Sequence, residues 1–103
     1  MPTRREKLAA LLQNDPSDPF LHYALAMDFA SAGEDAAAVA RLEALSLSHP
    51  DYIPTYLQGG QLYIKLDQQD QARAMLTQGI ERAQRLGDDH AAGEMQGFLE
   101  QLA

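Results

Sequence analysis

At 103 residues and 46% hydrophobic side chains, the chain is long enough for one domain with its own core and too apolar for a disordered segment. Its 8 basic and 15 acidic residues leave a net charge of −7, a field that repels phosphate backbones and favours a basic or neutral partner. There is no cysteine, which excludes disulfides, thiolate metal ligands and thiol nucleophiles, and no apolar run approaches the roughly 18 residues of a membrane span.

The charge is unevenly spread: residues 1–16 carry +1 and the remainder −8. After the basic start at Arg4, Arg5 and Lys7, only Leu8 to Leu12 is apolar. That is shorter than the roughly 7–15 residues of a signal-peptide core, so a cytoplasmic location is expected.

The first helix is expected to start at Thr3, because Thr3-Arg4-Arg5-Glu6 fits the capping box. Leu8, Leu11 and Leu12 form its single apolar stripe, and Asn14-Asp15-Pro16 stops it. So narrow a stripe suits a helix that covers the end of something else. Asp18-Pro19 opens the second helix as N-cap and first helical residue, with Leu21, Leu25, Ala26 and Phe29 on one face and Ala32-Gly33 at its end. The third is predicted from Asp35 to Ser48 around Ala38, Leu42 and Leu45, and His49-Pro50-Asp51 breaks it.

Asp51 is the expected N-cap of the fourth helix, with Pro54 in its first turn, the one place a helix tolerates proline. Gly59 and Gly60 sit mid-helix, at about 1 kcal/mol each relative to alanine, a cost that close approach of the neighbouring helix would offset. A turn near Asp67 leads to a fifth helix with Ala72, Leu76, Ile80 and Ala83, ended by Gly87. Asp88 or Asp89 begins the last helix, with Ala91, Met95, Phe98, Leu99 and Leu102 on one stripe and Glu94, Gln96, Glu100 and Gln101 opposite. Such a polar outer face suits the terminal unit of a repeat array. Gly93-x3-Gly97 lies in surroundings too polar for a bilayer, and close helix packing is its expected role. Strand and hairpin-turn signals are missing, so the expected fold is all-α with six helices.

One pattern appears twice. His22, Leu25, Ala26, Phe29, Ala38, Leu42 and Pro50 are followed thirty-four residues later by Tyr56, Gly59, Gly60, Tyr63, Ala72, Leu76 and Gln84. This spacing resembles the tetratricopeptide repeat, a helix–turn–helix of about 34 residues. The match covers residues 19–84, and the departures are His22 for a bulky aromatic, Gly59 for a leucine, Asp67 for the turn glycine and Gln84 for the closing proline. The resemblance implies antiparallel hairpins stacked in a short right-handed superhelix. It divides a single domain over 1–103 into a capping helix (1–17), two repeats (19–52 and 53–86) and a closing helix (88–103).

The resemblance also implies protein–protein interaction, through a concave groove lined by the first helix of each hairpin. The residues it places there are Phe20, Tyr23 and Met27 of the second helix and Leu57, Gln58, Gln61, Ile64 and Lys65 of the fourth. Burial of Phe20, Tyr23 and Met27 beneath the first helix is the alternative. One subset of the family grips a terminal carboxylate with lysine, asparagine and arginine. Here Tyr23, Met27 and Gln58 stand in those places, so no such clamp is expected. A different class of function is a self-associating unit, in which a second copy fills the groove or covers an exposed end helix.

His22, His49 and His90 are isolated, without metal-ligand spacing, and no glycine-flanked nucleophile or phosphate-cradling loop is present. The expectation is a binding protein without enzymatic activity, cofactor, metal or nucleic-acid partner.

Overall fold

The computed structural model describes residues 1–102, which form six α-helices and no strand: α1 (Arg4–Asn14), α2 (Pro19–Ser31), α3 (Asp35–Ser48), α4 (Pro54–Lys65), α5 (Gln69–Leu86) and α6 (Asp89–Glu100). Among the described residues, no helix is long and apolar enough to cross a membrane.

Local chemistry sets most of these boundaries. Thr3 Oγ1 accepts the Glu6 N–H at 3.1 Å while the Glu6 carboxylate accepts the Thr3 N–H at 3.4 Å, the reciprocal arrangement that satisfies two orphan donors of α1. Asp18 Oδ1 accepts the Phe20 N–H at 2.9 Å, with Pro19 as the first residue of α2. The two hairpins turn in the same way. The Glu34 N–H reaches the Phe29 carbonyl at 2.9 Å, and thirty-four residues on the Gln68 N–H reaches the Tyr63 carbonyl at 2.9 Å. Both turns need a left-handed residue, Gly33 at φ +80° in the first and Asp67 at φ +59° in the second. Aspartate is among the few residues with a side chain that tolerate this region, so the missing glycine leaves the hairpin intact.

The start of α4 differs from expectation. Asp51 is not its N-cap: the helix begins at Pro54 behind Ile53, with no side-chain cap. Backbone carbonyls of Tyr52 and Ile53 take the Thr55 and Tyr56 N–H groups, and Asp51 accepts a hydrogen bond from Arg82 of α5 at 3.0 Å. A partner 31 residues away in sequence has drawn the carboxylate out of the capping position.

The repeat positions make the core. Ala26, Ala38, Leu42, Ala72, Leu76 and Met95 have no exposed surface. A Cβ on Gly60 would stand 2.5 Å from Leu76 Cδ2, and one on Gly59 2.6 Å from Met75 Cε, so α5 presses its side chains into the notch these glycines leave. Burying a leucine contributes roughly 1.5–3 kcal/mol, enough to offset the weak helix propensity of one glycine at about 1 kcal/mol. Gly79 of α5 does the same in reverse, lying against Tyr56 and Met95. Gly93 and Gly97 do not: both are exposed, with nothing within 4 Å of a built Cβ. The close packing expected of them is absent because Ala92 and Met95 carry the buried side of α6.

α1 packs chiefly on α2 and buries no residue. Arg5 ties it down. The guanidinium bonds Asp28 at 2.9 Å and Glu34 at 2.7 Å, and lies 3.7 Å from the centre of the Phe29 ring. Arg41 of α3 flanks that ring as well, at 4.6 Å.

Candidate partner-binding groove

α4 touches α3, α5 and α6, and its remaining side borders two depressions that run along its length. The first, of about 240 Å³, lies between the N-terminal halves of α4 and α6. Leu57, Gln58, Ala91 and Glu94 line it and Tyr23 of α2 closes it. The second, of about 230 Å³, lies between the C-terminal halves, lined by Gln61, Ile64 and Lys65 of α4 with Phe98 and Gln101. Start facing start and end facing end means that α4 and α6 run the same way. The two recesses form one shallow trough.

Its two ends differ in charge. Asp88, which caps α6 by accepting the Ala91 N–H at 3.1 Å, and Glu94 line the first recess with no lysine or arginine among them. His90 Nε2 approaches Glu94 at 3.2 Å. The ring of Tyr23 meets that of Tyr52 in a tilted contact, with centres 5.7 Å apart and planes at 57°, and the Tyr52 hydroxyl is made harder to ionise by burial and then by the nearby Asp18 carboxylate. At the other end Lys65 is paired with Asp35 at 3.1 Å. One end is therefore acidic and the other apolar and nearly neutral.

Similar proteins of known structure share this arrangement of helices. A crystal structure of a tetratricopeptide repeat domain protein from Salinibacter ruber is 36% identical, over 82% of this chain and 94% of that chain, with a TM-score of 0.77. The solution structure of a tetratricopeptide repeat domain protein from the same organism is 37% identical, over 84% of this chain and 88% of that one, at 0.80. The chain belongs to the tetratricopeptide repeat family. A solution structure of a protein from Bordetella parapertussis is also similar, at 26% identity over 99% of this chain and 89% of that chain, with a TM-score of 0.83. Neither a family model nor a curated protein matches the sequence.

As a tetratricopeptide repeat chain, it places six of the eight residues expected in the groove along the trough. Tyr23, Leu57 and Gln58 line the first recess, and Gln61, Ile64 and Lys65 the second. Phe20 is 58% exposed and Met27 half-buried, and neither lines a recess. α1 contributes nothing to either recess, and its polar ties run to Asp28 and Glu34. The helix expected only to close the array supplies a wall as well, through Ala91, Glu94, Phe98 and Gln101. Ala91 and Phe98 lie two turns apart on one side of α6, a spacing legible in the sequence.

A larger depression, about 510 Å³, lies elsewhere, between His22 and the Arg41, Leu45 and His49 side of α3. A similar one, of about 340 Å³, lies at the equivalent place in the next repeat, beside Pro50 and Tyr56. His22 Nε2 lies 2.6 Å from the Pro16 carbonyl, as the Tyr56 hydroxyl lies 2.6 Å from that of Pro50, thirty-four residues later. A carbonyl only accepts, so Nε2 carries the proton. The imidazole therefore keeps the bond that the phenol makes in the next repeat.

Proposed function

We propose that the chain binds a segment of another protein in the trough between α4 and α6, with Tyr23 at one end. The observation that carries this reading is the alignment of two recesses along one helix, floored by Leu57 and Ile64 and walled by Tyr23 and Phe98. Aromatic and aliphatic side chains with few charges give contact area at little desolvation cost. The fold of the family makes such a surface a natural scaffold for protein interaction. Asp88 and Glu94 at one end favour an apolar segment carrying a lysine or arginine there. A carboxylate would meet repulsion at that end, and Lys65 is already engaged by Asp35.

Selection from a displayed library of short peptides tests this, with a Leu57→Asp, Ile64→Asp variant as counter-target. The expected winners combine apolar residues with a basic one and lose at least tenfold in affinity for the variant. Winners that bind both proteins equally would place the interaction elsewhere.

A further inference from the structure

The depression of about 510 Å³ beside His22 and that of about 340 Å³ beside Tyr56 hold the same place in successive repeats, yet their charges differ. In the second the cations are already paired: Arg82 with Asp51 at 3.0 Å, and Arg85 with Glu81 at 3.9 Å. In the first, Arg41 is the one lysine or arginine among the lining residues, and no aspartate or glutamate stands with it. Arg41 forms no ion pair among the described residues. Its guanidinium rests 4.6 Å from the centre of the Phe29 ring, a contact that leaves the positive charge without a counter-charge.

The carboxylates of the surrounding chain are engaged elsewhere. Between residues 16 and 49, Asp28 and Glu34 are held by Arg5 and Asp35 by Lys65, Glu43 accepts the Tyr63 hydroxyl, and Asp18 caps α2. No other acidic residue lies in that stretch, and Arg41 is its one lysine or arginine. A chain of net charge −7 thus keeps one guanidinium free of carboxylates at the edge of a recess. Further polar groups stand beside it. His49 Nδ1 lies 3.1 Å from Ser48 Oγ, which leaves Nε2 unpartnered, and Ser17 adds a hydroxyl. Pro16, Ala44 and Leu45 supply apolar wall. The volume falls within the roughly 300–1,000 Å³ of small-molecule sites, where apolar walls give contact and a few polar groups set orientation.

We propose that this depression binds a small organic anion, with its carboxylate or phosphate on Arg41 and its apolar body against Pro16, Ala44 and Leu45. The bond to the guanidinium is charge-assisted and has no internal carboxylate to displace. The site shares no lining residue with either recess of the trough, so the two are told apart by which amides respond to a ligand.

Amide-shift titrations of the 103-residue chain test this, with benzoate, phenyl phosphate, inorganic phosphate and neutral benzamide as probes. Benzoate, phenyl phosphate or both should shift residues 17–22 and 41–49 with saturation, and the tighter of the two identifies the oxyanion. Benzamide, which lacks the charge, should bind about tenfold more weakly than that anion, and so should inorganic phosphate, which lacks the apolar body. Arg41→Gln removes the cation. Ala44→Glu, at an exposed position of α3, gives Arg41 a carboxylate one helical turn away. Each variant should keep its helical circular dichroism and lose about tenfold in affinity for the tighter anion. Four results overturn the proposal: no saturable shift with either organic anion, benzamide or inorganic phosphate bound as tightly, undiminished affinity in Ala44→Glu, or equal shifts around Tyr56 and Arg82. A response centred on Leu57 and Ile64 overturns it as well, by placing the probe in the trough.

Discussion

The glycines of this chain allow one substitution, to alanine, to be predicted with opposite signs at different sites. Alanine in a helix interior is better than glycine by about 1 kcal/mol, so the sign depends on the space available. At Gly79 a Cβ would meet Tyr56 at its own Cβ, one bond from the backbone, and Met95 Sδ at 2.5 Å. Neither retreats easily, so the cost falls in the upper part of the overpacking range of about 1–3 kcal/mol, about 2–3, for a net loss of about 1–2 kcal/mol. Gly60→Ala meets Leu76 Cδ2 at 2.5 Å in a fully buried side chain and should lose about 1 kcal/mol. At Gly59 the obstacle is the methyl end of Met75, which swings aside, so the change should be close to zero. Gly97→Ala meets nothing and should gain about 0.5–1 kcal/mol. Urea unfolding reads this directly. With a slope of about 1 kcal/mol/M, each kcal/mol moves the midpoint by about 1 M. A midpoint raised by Gly79→Ala as it is by Gly97→Ala would refute the idea that contact with neighbouring helices decides the sign.

Three further outcomes are expected. Burial, followed by the 2.7 Å hydrogen bond to Glu43, pushes the Tyr63 hydroxyl up to about 12, above the usual 10. The fold therefore favours the neutral phenol, and its contribution, at most about 3 kcal/mol, is complete below pH 10 and lost as pH rises towards 12. Tyr63→Phe should flatten that alkaline limb in urea midpoints measured from pH 8 to 12. Arg5→Ala, or added salt, should speed amide exchange across residues 4–14 while leaving α3 to α5 protected, since α1 is held by charge and one ring contact. Equal protection in α1 would show its leucines to be sufficient. Asp18→Ala should lower stability by about 1 kcal/mol through the lost cap of α2, as read by thermal melting.

The sequence made the helices legible where the deciding chemistry is local. Thr3 with Glu6, Asp18 with Pro19, and Gly33 and Gly87 act within a few residues of themselves. The thirty-four-residue period carried the rest, pairing Ala26 with Gly60 and Leu42 with Leu76 from spacing alone. Asp51 failed because its partner, Arg82, lies on a different helix and only folding brings them together. Gly93 and Gly97 failed for a related reason: spacing shows that two glycines share a side of a helix, not whether another helix lies there. Gly79 gave no signal, because its role depends on Tyr56 and Met95 arriving from two other helices. In the candidate site, residues of α2 and α4 followed from repeat position. Those of α6 depended on that helix running parallel to α4, which its own amphipathic pattern does not specify.

The tilted contact of Tyr23 with Tyr52 has a practical consequence. The chain has four tyrosines and no tryptophan, so its ultraviolet emission is a tyrosine signal. The remaining two, Tyr56 and Tyr63, are deeply enclosed, whereas Tyr23 closes the first recess and Tyr52 rests against it. A visitor entering that recess would change the light these two rings give off, providing a label-free optical report of occupancy.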